Sequence, residues 1–370
     1  MNMNPVYNHF LTRTSWESFN STPEELRFGP KDVDFSIDQR TWCQTCKKVS
    51  LFIFKIILFP WIIYDGISFL LQRILMMNLY PAQSTIVKYC MRPAFKTANL
   101  DQVRVEIPAS FPGKIIRHVR LEKDGHSYSG LILSTAEKIQ NRKWILQATG
   151  NLDCFERAAK CMNPYLETDY NVLIVNGPGV GRSDGIATTQ NLGKPQEIGI
   201  SYLEKALGAK EIVMAGFSLG GAAIGEAIME HEFKNDIDYL AIRQMSFDKV
   251  SNVGRKIMEK NGICLAPFSK FLAILGNTET DSTEASKKLI ELEIPEAIVH
   301  AGSSSSSFDF DGVIPIKATH GARLQKEGIT KHKYFYHVPE GKHELPFIQT
   351  IQAINDWQIR RREKILIDAV

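Results

Sequence analysis

Residues 211–226 read EIVMAGFSLGGAAIGE, a short apolar run followed by Gly-Phe-Ser-Leu-Gly and a segment of small residues. The pattern predicts a buried strand over residues 212–214 and a helix over residues 222–229. A serine between two glycines, where a strand turns directly into a helix, is typical of a nucleophile elbow. In so tight a turn, larger side chains in place of the glycines would collide with the strand and the helix. Ser218 is therefore a candidate nucleophile, and the alternative is a glycine-rich connection that only packs.

The composition is that of an ordinary globular protein. The 370 residues carry a net charge of only +3, and the basic residues are spread along the chain, so a nucleic-acid surface is not expected. The 6 cysteines are few and irregularly spaced, which favours reduced thiols over a disulfide framework. Cys43 and Cys46 form a C-x-x-C pair, but no second pair follows at metal-ligand spacing. No metal site is predicted.

The composition changes sharply at residue 50. Residues 1–50 are polar and acidic early on, which argues against a cleavable signal peptide. Residues 51–80 are predicted to form a hydrophobic or amphipathic helical segment, which would exceed the roughly 20 residues needed to cross a bilayer. Lys55 and Asp65 fall on one polar stripe of such a helix, which favours a helix at a membrane surface. A true span and a helix packed on the protein are the alternatives, so the expected location is membrane-associated or cytoplasmic.

From about residue 100, strand and helix patterns alternate. Strands are predicted over residues 103–107, 115–121, 128–133, 144–148, 171–176, 212–214, 239–245, 297–301 and 333–338, and helices over residues 157–161, 196–207 and 222–229. Such alternation implies an α/β fold with a mostly parallel central sheet covered on both faces. Lys-Asp-Gly at residues 123–125 predicts the turn of an antiparallel hairpin at the start of this sheet.

A glycine-rich segment, NGPGVGRSDG, occupies residues 176–185. It lacks the Gly-Lys-Ser/Thr of a P-loop and the G-x-G-x-x-G spacing of a dinucleotide site, so no nucleotide is expected. A tight loop beside the active site explains it better.

Together, NGPGVGRSDG and GFSLGG at residues 216–221 resemble the α/β-hydrolase superfamily over roughly residues 103–360. The whole chain, with its hydrophobic amino-terminal segment, resembles the chlamydial CHLPS family, a bacterial family without an established substrate. The resemblance implies an α/β-hydrolase fold over residues 100–365, with a small helical cap insertion at residues 248–290 and a hydrophobic helical extension before the domain.

The resemblance also implies a catalytic triad in the order Ser, acid, His. Asp311 begins DGVIP, which matches the family's D-x-x-V/I-P pattern, and Asp309 is the reserve choice. His343 follows the last predicted strand, in the loop where the family keeps its histidine. The remaining histidines are interpreted as surface or core residues; those considered are His118, His126, His231, His300 and His332.

An oxyanion hole needs two backbone N–H donors. The donors expected here are Leu219, after the nucleophile, and Asn151, in the loop after the first parallel strand. The sequence departs from the family in this loop, because Thr149-Gly150 stands where His-Gly is usual. No metal or organic cofactor is required by this chemistry.

The preferred function is a serine hydrolase of the esterase, lipase or thioesterase type, acting on a small-molecule or lipid-like acyl substrate. A peptidase or an acyltransferase would use the same triad. A non-catalytic interaction protein tethered to a membrane is the alternative from another class, because fold does not determine function. The predicted cap could present an apolar underside to the site, formed by Leu265, Phe268, Phe271, Leu272 and Leu275.

Overall fold

The computed structural model describes residues 34–37, 97–150, 153–185, 188–260, 266–275, 279–301, 314, 316–338 and 343–368. The helical segment predicted over residues 51–80 and most of the polar segment 1–50 therefore lie outside the described residues. Within the described ranges, no helix is both long enough and apolar enough to cross a bilayer.

The described residues contain one central sheet. Its strands are β1 Asp34–Ile37, β2 Ile115–Lys123, β3 His126–Ser134, β4 Lys143–Ala148, β5 Asn171–Val175, β6 Glu211–Phe217, β7 Asp238–Gln244, β8 Glu296–Ala301 and β9 Lys333–Val338. Their order is β1-β2-β3-β5-β4-β6-β7-β8-β9. Strand β3 is antiparallel to both of its neighbours, and the other neighbouring strands are parallel. The predicted mostly parallel sheet is thus confirmed.

Helices flank this sheet. They are α1 Thr97–Glu106, α2 Phe155–Ala158, α3 Asn163–Leu166, α4 Lys194–Lys205, α5 Leu219–Glu230, α6 Val250–Lys260, α7 Ser269–Leu275, α8 Ser282–Glu291, α9 His320–Lys326 and α10 Phe347–Asp368. Short 3-10 helices occupy Ile107–Ser110, Lys138–Asn141, Ala159–Met162, Ala266–Phe268 and Ile316–Ala318.

The two faces of the sheet each bury an apolar core. Because successive side chains of a strand point to opposite faces, Leu146 joins the core under α4, α5 and α8, whereas Ile145 joins the core under α2, α3 and α10. In the same way, Met214 joins the first of these cores and Val213 joins the second. Burial on both faces explains why these parallel strands read as continuous apolar runs.

The predicted hairpin is present as β2 and β3. Its two turn residues, Asp124 and Gly125, have φ angles of 53° and 76°. Positive φ at both central positions is the signature of a type I′ turn, whose twist matches that of the two strands. Lys123 pairs directly with His126 across the turn.

The strand predicted over residues 103–107 is wrong, because these residues end α1 and begin the 3-10 helix Ile107–Ser110. Val103, Val105 and Ile107 alternate like a strand, yet Leu100, Arg104 and Ile107 also share one helical face, and all three are buried. The helix is favoured over the strand because the Arg104 side chain can be buried here. Its guanidinium pairs with Glu156, a partner that local periodicity does not show.

The insertion predicted over residues 248–290 is helical, but α8 differs from the rest of it. Helix α8 packs against α5, and Ala285 and Leu289 belong to the core under the sheet. It is therefore part of the helical layer and not of a cap. Phe268 and Phe271, two of the residues predicted to form an apolar underside, are exposed. Leu265 and the side chains of Leu272 and Leu275 lie outside the described residues.

A buried ionic cluster joins α4, the end of α5 and the end of β2. The imidazole of His231 contacts Glu204 Oε1 through Nε2 at 2.7 Å and Glu197 Oε1 through Nδ1 at 3.3 Å. Burial by itself would lower the pKa of His231, but hydrogen bonds to the two carboxylates raise it. Burial likewise opposes ionisation of Glu197, and its bonds to His231 and Lys123 nevertheless lower its pKa to about 2. The cluster therefore favours a protonated His231.

We expect His231→Gln to lower the free energy of unfolding by about 2 kcal/mol near pH 6, because charge-assisted hydrogen bonds are lost. Because the pKa of His231 is higher in the folded state than in the unfolded state, its protonation stabilises the folded protein. This stabilisation is complete below the unfolded-state pKa of about 6.5 and is lost as pH rises through the folded-state pKa. The difference between the two proteins should therefore shrink towards pH 9. Chemical denaturation at both pH values measures it. A difference that stays constant with pH would contradict the charged-histidine interpretation.

Candidate active site

Ser218 lies at the end of β6 and immediately precedes α5, as the sequence predicts for a nucleophile elbow. Its φ and ψ angles are 53° and −117°, a region that residues with a Cβ rarely occupy. Three hydrogen bonds hold the backbone there. The Ser218 N–H donates to the carbonyl of Gln244 at 2.7 Å, and its own carbonyl accepts from Gly221 N–H and from the Ser246 hydroxyl, both at 3.0 Å.

The glycines around Ser218 are required by close backbone approaches. A Cβ on Gly216 would lie 2.4 Å from the carbonyl oxygen of Gly220, and a Cβ on Gly220 would lie 2.3 Å from that of Ala148. Both contacts are with backbone atoms, which cannot move aside cheaply. The tertiary structure therefore shows the close approaches expected from the sequence. The lack of a Cβ on Gly220 lets the start of α5 pack against the end of β4.

His343 lies beside this turn. Its ring centroid is 5.0 Å from that of Phe217, the residue immediately before Ser218. Gly150, in the loop after β4, also lies close to this ring, because a Cβ on Gly150 would lie 2.8 Å from Cδ1 of Phe217. The Phe217 ring thus contacts both the predicted base and the loop after β4. Sequence analysis missed Phe217, and the only available signal was its position inside the elbow pentapeptide.

Asp309 and Asp311, the candidate acids, lie outside the described residues, but both ends of their segment are informative. The segment leaves β8 at Ala301, which pairs with Val338 at the end of β9, the strand that precedes His343. On its far side, Ile314 is buried in one cluster with Leu219 and Ala222. The described residues on the two sides of this segment therefore lie beside the strand that precedes His343 and beside the elbow helix.

The predicted oxyanion donors are only partly described. Leu219 is the first residue of α5, as its role requires, whereas Asn151 lies outside the described residues. The chain resumes at Asp153, whose N–H donates to the Gly150 carbonyl at 3.3 Å. Burial raises the pKa of Asp153, although its carboxylate accepts a hydrogen bond from the Cys154 N–H. The loop after β4 is thus bounded by an ordered turn.

A fully buried ion pair supports the helix that follows this loop. Arg104 Nε donates to Glu156 Oε1 at 2.7 Å, and Asn176 Nδ2 donates to Glu156 Oε2 at 3.0 Å. The Asn176 side-chain oxygen accepts from the N–H of Phe155, the first residue of α2, at 2.7 Å. Sequence analysis missed Arg104 and Glu156, because their residue types alone do not distinguish a buried pair from a solvated one.

The glycine-rich segment at residues 176–185 folds back on itself. Gly179 N–H donates to the Asp184 carbonyl at 3.0 Å, Val180 N–H to Gly177 at 3.1 Å, and Ser183 N–H to Val180 at 2.9 Å. A phosphate-binding loop instead points successive N–H groups at its ligand. The internal bonds agree with a structural loop.

Several of the other histidines are structural. His118, His231 and His300 are buried, in agreement with their interpretation as core residues. Burial, followed by the charge of Arg104, lowers the pKa of His118, and burial together with His337 lowers the pKa of His300 to about 4. Among the described residues, no three or more His, Cys, Asp or Glu side chains are grouped as a metal ion would need.

Known proteins match both the sequence and the fold. The family model described as "Chlamydia CHLPS protein (DUF818)" matches residues 23–350. Phosphatidylserine lipase ABHD16A of Bos taurus is 26% identical over 238 residues, which make up 64% of this chain and 37% of the relative. The Homo sapiens protein of the same name is 25% identical over 238 residues, again 64% of this chain and 37% of the relative. The match therefore spans just over a third of these curated relatives.

Among solved structures, an alpha-beta hydrolase from Vibrio vulnificus superimposes with a TM-score of 0.50 at 16% identity. The superposition covers 69% of this chain and 84% of that one. At this identity the likeness concerns the fold alone, and it agrees with the α/β-hydrolase fold predicted from the sequence.

Proposed function

The chain belongs to the Chlamydia CHLPS protein (DUF818) family and has an α/β-hydrolase fold, and on that premise we propose that it is a serine hydrolase. The bond cleaved is an ester, thioester or related acyl bond, and the triad is Ser218, Asp311 and His343. One observation carries the proposal: Ser218 is held at a positive φ between a strand and a helix, with the His343 ring packed against the preceding residue. A serine without a chemical role has no need of this strained backbone.

In the proposed mechanism, the Ser218 hydroxyl attacks the substrate carbonyl while His343 accepts its proton. Asp311 orients the imidazole and stabilises its protonated form. The N–H groups of Leu219 and Asn151 stabilise the oxyanion of the tetrahedral intermediate. His343 then protonates the leaving group, which leaves an acyl-enzyme. Water, deprotonated by His343, releases the acid and regenerates Ser218.

The proposed substrate class is a lipid-like acyl compound. The relatives at 25–26% identity are named phosphatidylserine lipases, which supports a fatty-acyl ester rather than a peptide. Residues 51–77 are proposed to hold the protein at a membrane surface, where such a substrate is found. This location would bring a poorly soluble substrate within reach of the hydrolase domain.

The test is fluorophosphonate labelling of the purified full-length protein, followed by assays on p-nitrophenyl butyrate, p-nitrophenyl palmitate, and phosphatidylserine in mixed micelles. We expect covalent labelling, and hydrolysis that favours the long-chain and phospholipid esters. A short-chain preference would retain the serine hydrolase but reject the lipid-like substrate. A folded protein that is neither labelled nor active on any ester would contradict the proposal and favour the non-catalytic interaction protein.

A further inference from the structure

Three large apolar side chains project from the insertion between β7 and α8. Phe268 is 58% exposed, Phe271 is 62% exposed and Ile274 is 53% exposed. Phe271 and Ile274 are three residues apart on α7 and so lie on one face of the helix, and Phe268 lies at the end of the preceding 3-10 helix. Single exposed apolar residues are common, but three within seven residues indicate a binding surface.

A cationic cleft lies on the neighbouring helix. Helix α6 packs against α7 and against the 3-10 helix Ala266–Phe268. Together with Ile316–Ala318 and α9, α6 also borders a cleft of about 530 Å³. The cationic side chains that line this cleft are Arg255, Lys256, Lys317, Arg323 and Lys326, and its carboxylates are Asp248 and Glu327.

Pairing within the cleft leaves positive charge uncompensated. Asp248 is buried and accepts from Asn252 Nδ2 at 2.5 Å, and it pairs with Arg323 Nη1 at 3.3 Å. Arg323 Nε also pairs with Glu327 at 2.8 Å, so one arginine serves both carboxylates of the cleft. Arg255 and Lys256 both pair with Glu259, at 3.4 Å and 2.8 Å. Lys317 and Lys326 are exposed and form no ion pair with any described residue. The cleft is therefore suited to an anionic partner.

This surface adjoins the candidate active site. The parallel strands β7 and β8 end at the edge of the sheet where β6 delivers Ser218. Helix α6 begins six residues after β7 ends, and the 3-10 helix Ile316–Ala318 is bonded to the connection between them, because Asp248 N–H donates to the Ala318 carbonyl at 3.1 Å. Val250, at the start of α6, packs on the buried cluster that contains Leu219 and Ile314. A partner bound at the cleft therefore lies on the same side of the domain as the nucleophile.

We propose that this docking face binds the surface of a bilayer that contains anionic phospholipids. It consists of an apolar part, Phe268, Phe271 and Ile274, and a cationic part, Arg255, Lys256, Lys317 and Lys326. The inference rests on the proposed lipid-like substrate. The cationic part attracts anionic head groups, and the aromatic rings enter the interfacial region. Because the face adjoins the Ser218 edge of the sheet, docking would let a lipid reach the site without crossing bulk water.

Co-sedimentation of the full chain with vesicles tests this proposal. The vesicles contain phosphatidylcholine alone, or phosphatidylcholine mixed with phosphatidylserine. The wild type should bind the mixed vesicles more tightly. Lys317→Glu/Lys326→Glu should weaken that binding at least about tenfold, because attraction to anionic lipids depends on each basic residue near the surface. Phe268→Ala/Phe271→Ala should weaken binding to both kinds of vesicle.

The matched control is Lys205→Glu/Lys331→Glu, which makes the same charge change at exposed positions near the starts of β6 and β9, on the opposite edge of the sheet. It should bind like the wild type. Docking variants that bind mixed vesicles as tightly as the wild type would overturn the proposal, and residues 51–77 would then account for any membrane contact. Binding of the wild type without preference for anionic vesicles would also overturn it.

Hydrolysis of p-nitrophenyl butyrate, a soluble ester, is measured in every variant. It should be unchanged in Lys317→Glu/Lys326→Glu and in the control, because those lysines belong neither to the proposed triad and oxyanion hole nor to the predicted apolar underside of the cap. If the wild type hydrolyses no ester but binds anionic vesicles, and the docking variants lose that binding, the proposed function fails while the docking face stands. The two ideas are thus tested separately.

Discussion

Ser218→Ala is expected to lower kcat for ester hydrolysis by about 10⁵-fold or more and to abolish fluorophosphonate labelling. In serine hydrolases of known mechanism, loss of the nucleophile removes about 10⁶ in kcat, and what remains comes from the oxyanion hole and substrate binding. In the proposed mechanism, Ser218 is the group that forms the acyl-enzyme. Steady-state kinetics and labelling of the two purified proteins measure the effect.

Ser246→Ala is the matched control, because Ser246 is a second buried serine whose hydroxyl donates to the carbonyl of Ser218 at 3.0 Å. That carbonyl also accepts from Gly221 N–H, so the elbow should persist at a cost of about 1 kcal/mol in stability. Ser246→Ala should therefore still be labelled. Labelling that survives in Ser218→Ala, or disappears only in Ser246→Ala, would refute the assignment of the nucleophile.

Ser218→Gly adds an independent readout of the strained backbone. It should be as inactive as the alanine variant, yet more stable than that variant by about 1 kcal/mol, since glycine adopts positive φ without a Cβ collision. Chemical denaturation compares the two variants. Equal stability would show that the turn stores little strain.

Asp311→Asn is expected to lower kcat by about 10⁴-fold, whereas Asp309→Asn should have a small effect. An asparagine at the triad acid cannot stabilise the imidazolium and favours the wrong histidine tautomer. Asp311 is the proposed acid, and Ile314, three residues later, is buried with Leu219 next to the nucleophile. The family pattern D-x-x-V/I-P favours the same residue.

The two asparagine variants serve as controls for each other, since each removes one negative charge from the same segment. Their kcat values, and their rates of fluorophosphonate labelling across pH, distinguish the triad acid from a neighbouring surface carboxylate. A large loss in Asp309→Asn alone would transfer the role to Asp309. Similar small losses in both variants would place the acid elsewhere in the chain.

Local sequence patterns were sufficient for most of the sheet. The strand boundaries of β9 agree with the prediction residue for residue, and those of β4, β5, β7 and β8 differ by one or two positions. These strands are apolar runs bounded by turn residues, because both of their faces are covered. The Asp124-Gly125 turn was predictable for a similar reason, since few residue pairs tolerate two positive φ angles.

Prediction failed where a distant partner decides the structure. Residues 103–107 suit a strand and a helix almost equally, and the helix depends on the pairing of Arg104 with Glu156, 52 residues away. Helix α8 was assigned to the cap for the same reason. Its sequence shows an amphipathic helix but not that its apolar side faces α5.

The sequence by itself determined the fold class, the elbow and the candidate Ser218, and the family resemblance implied Asp311 and His343, because each of these patterns is formed by residues close together in the chain. Only the tertiary structure decided that His343 packs on Phe217, that Glu156 is held by Arg104 and Asn176, and that α6, which borders a cationic cleft, packs against the segment with three exposed apolar side chains. These contacts join segments far apart in sequence. They form when the strands align at a common edge, and no local pattern encodes which side chains meet there.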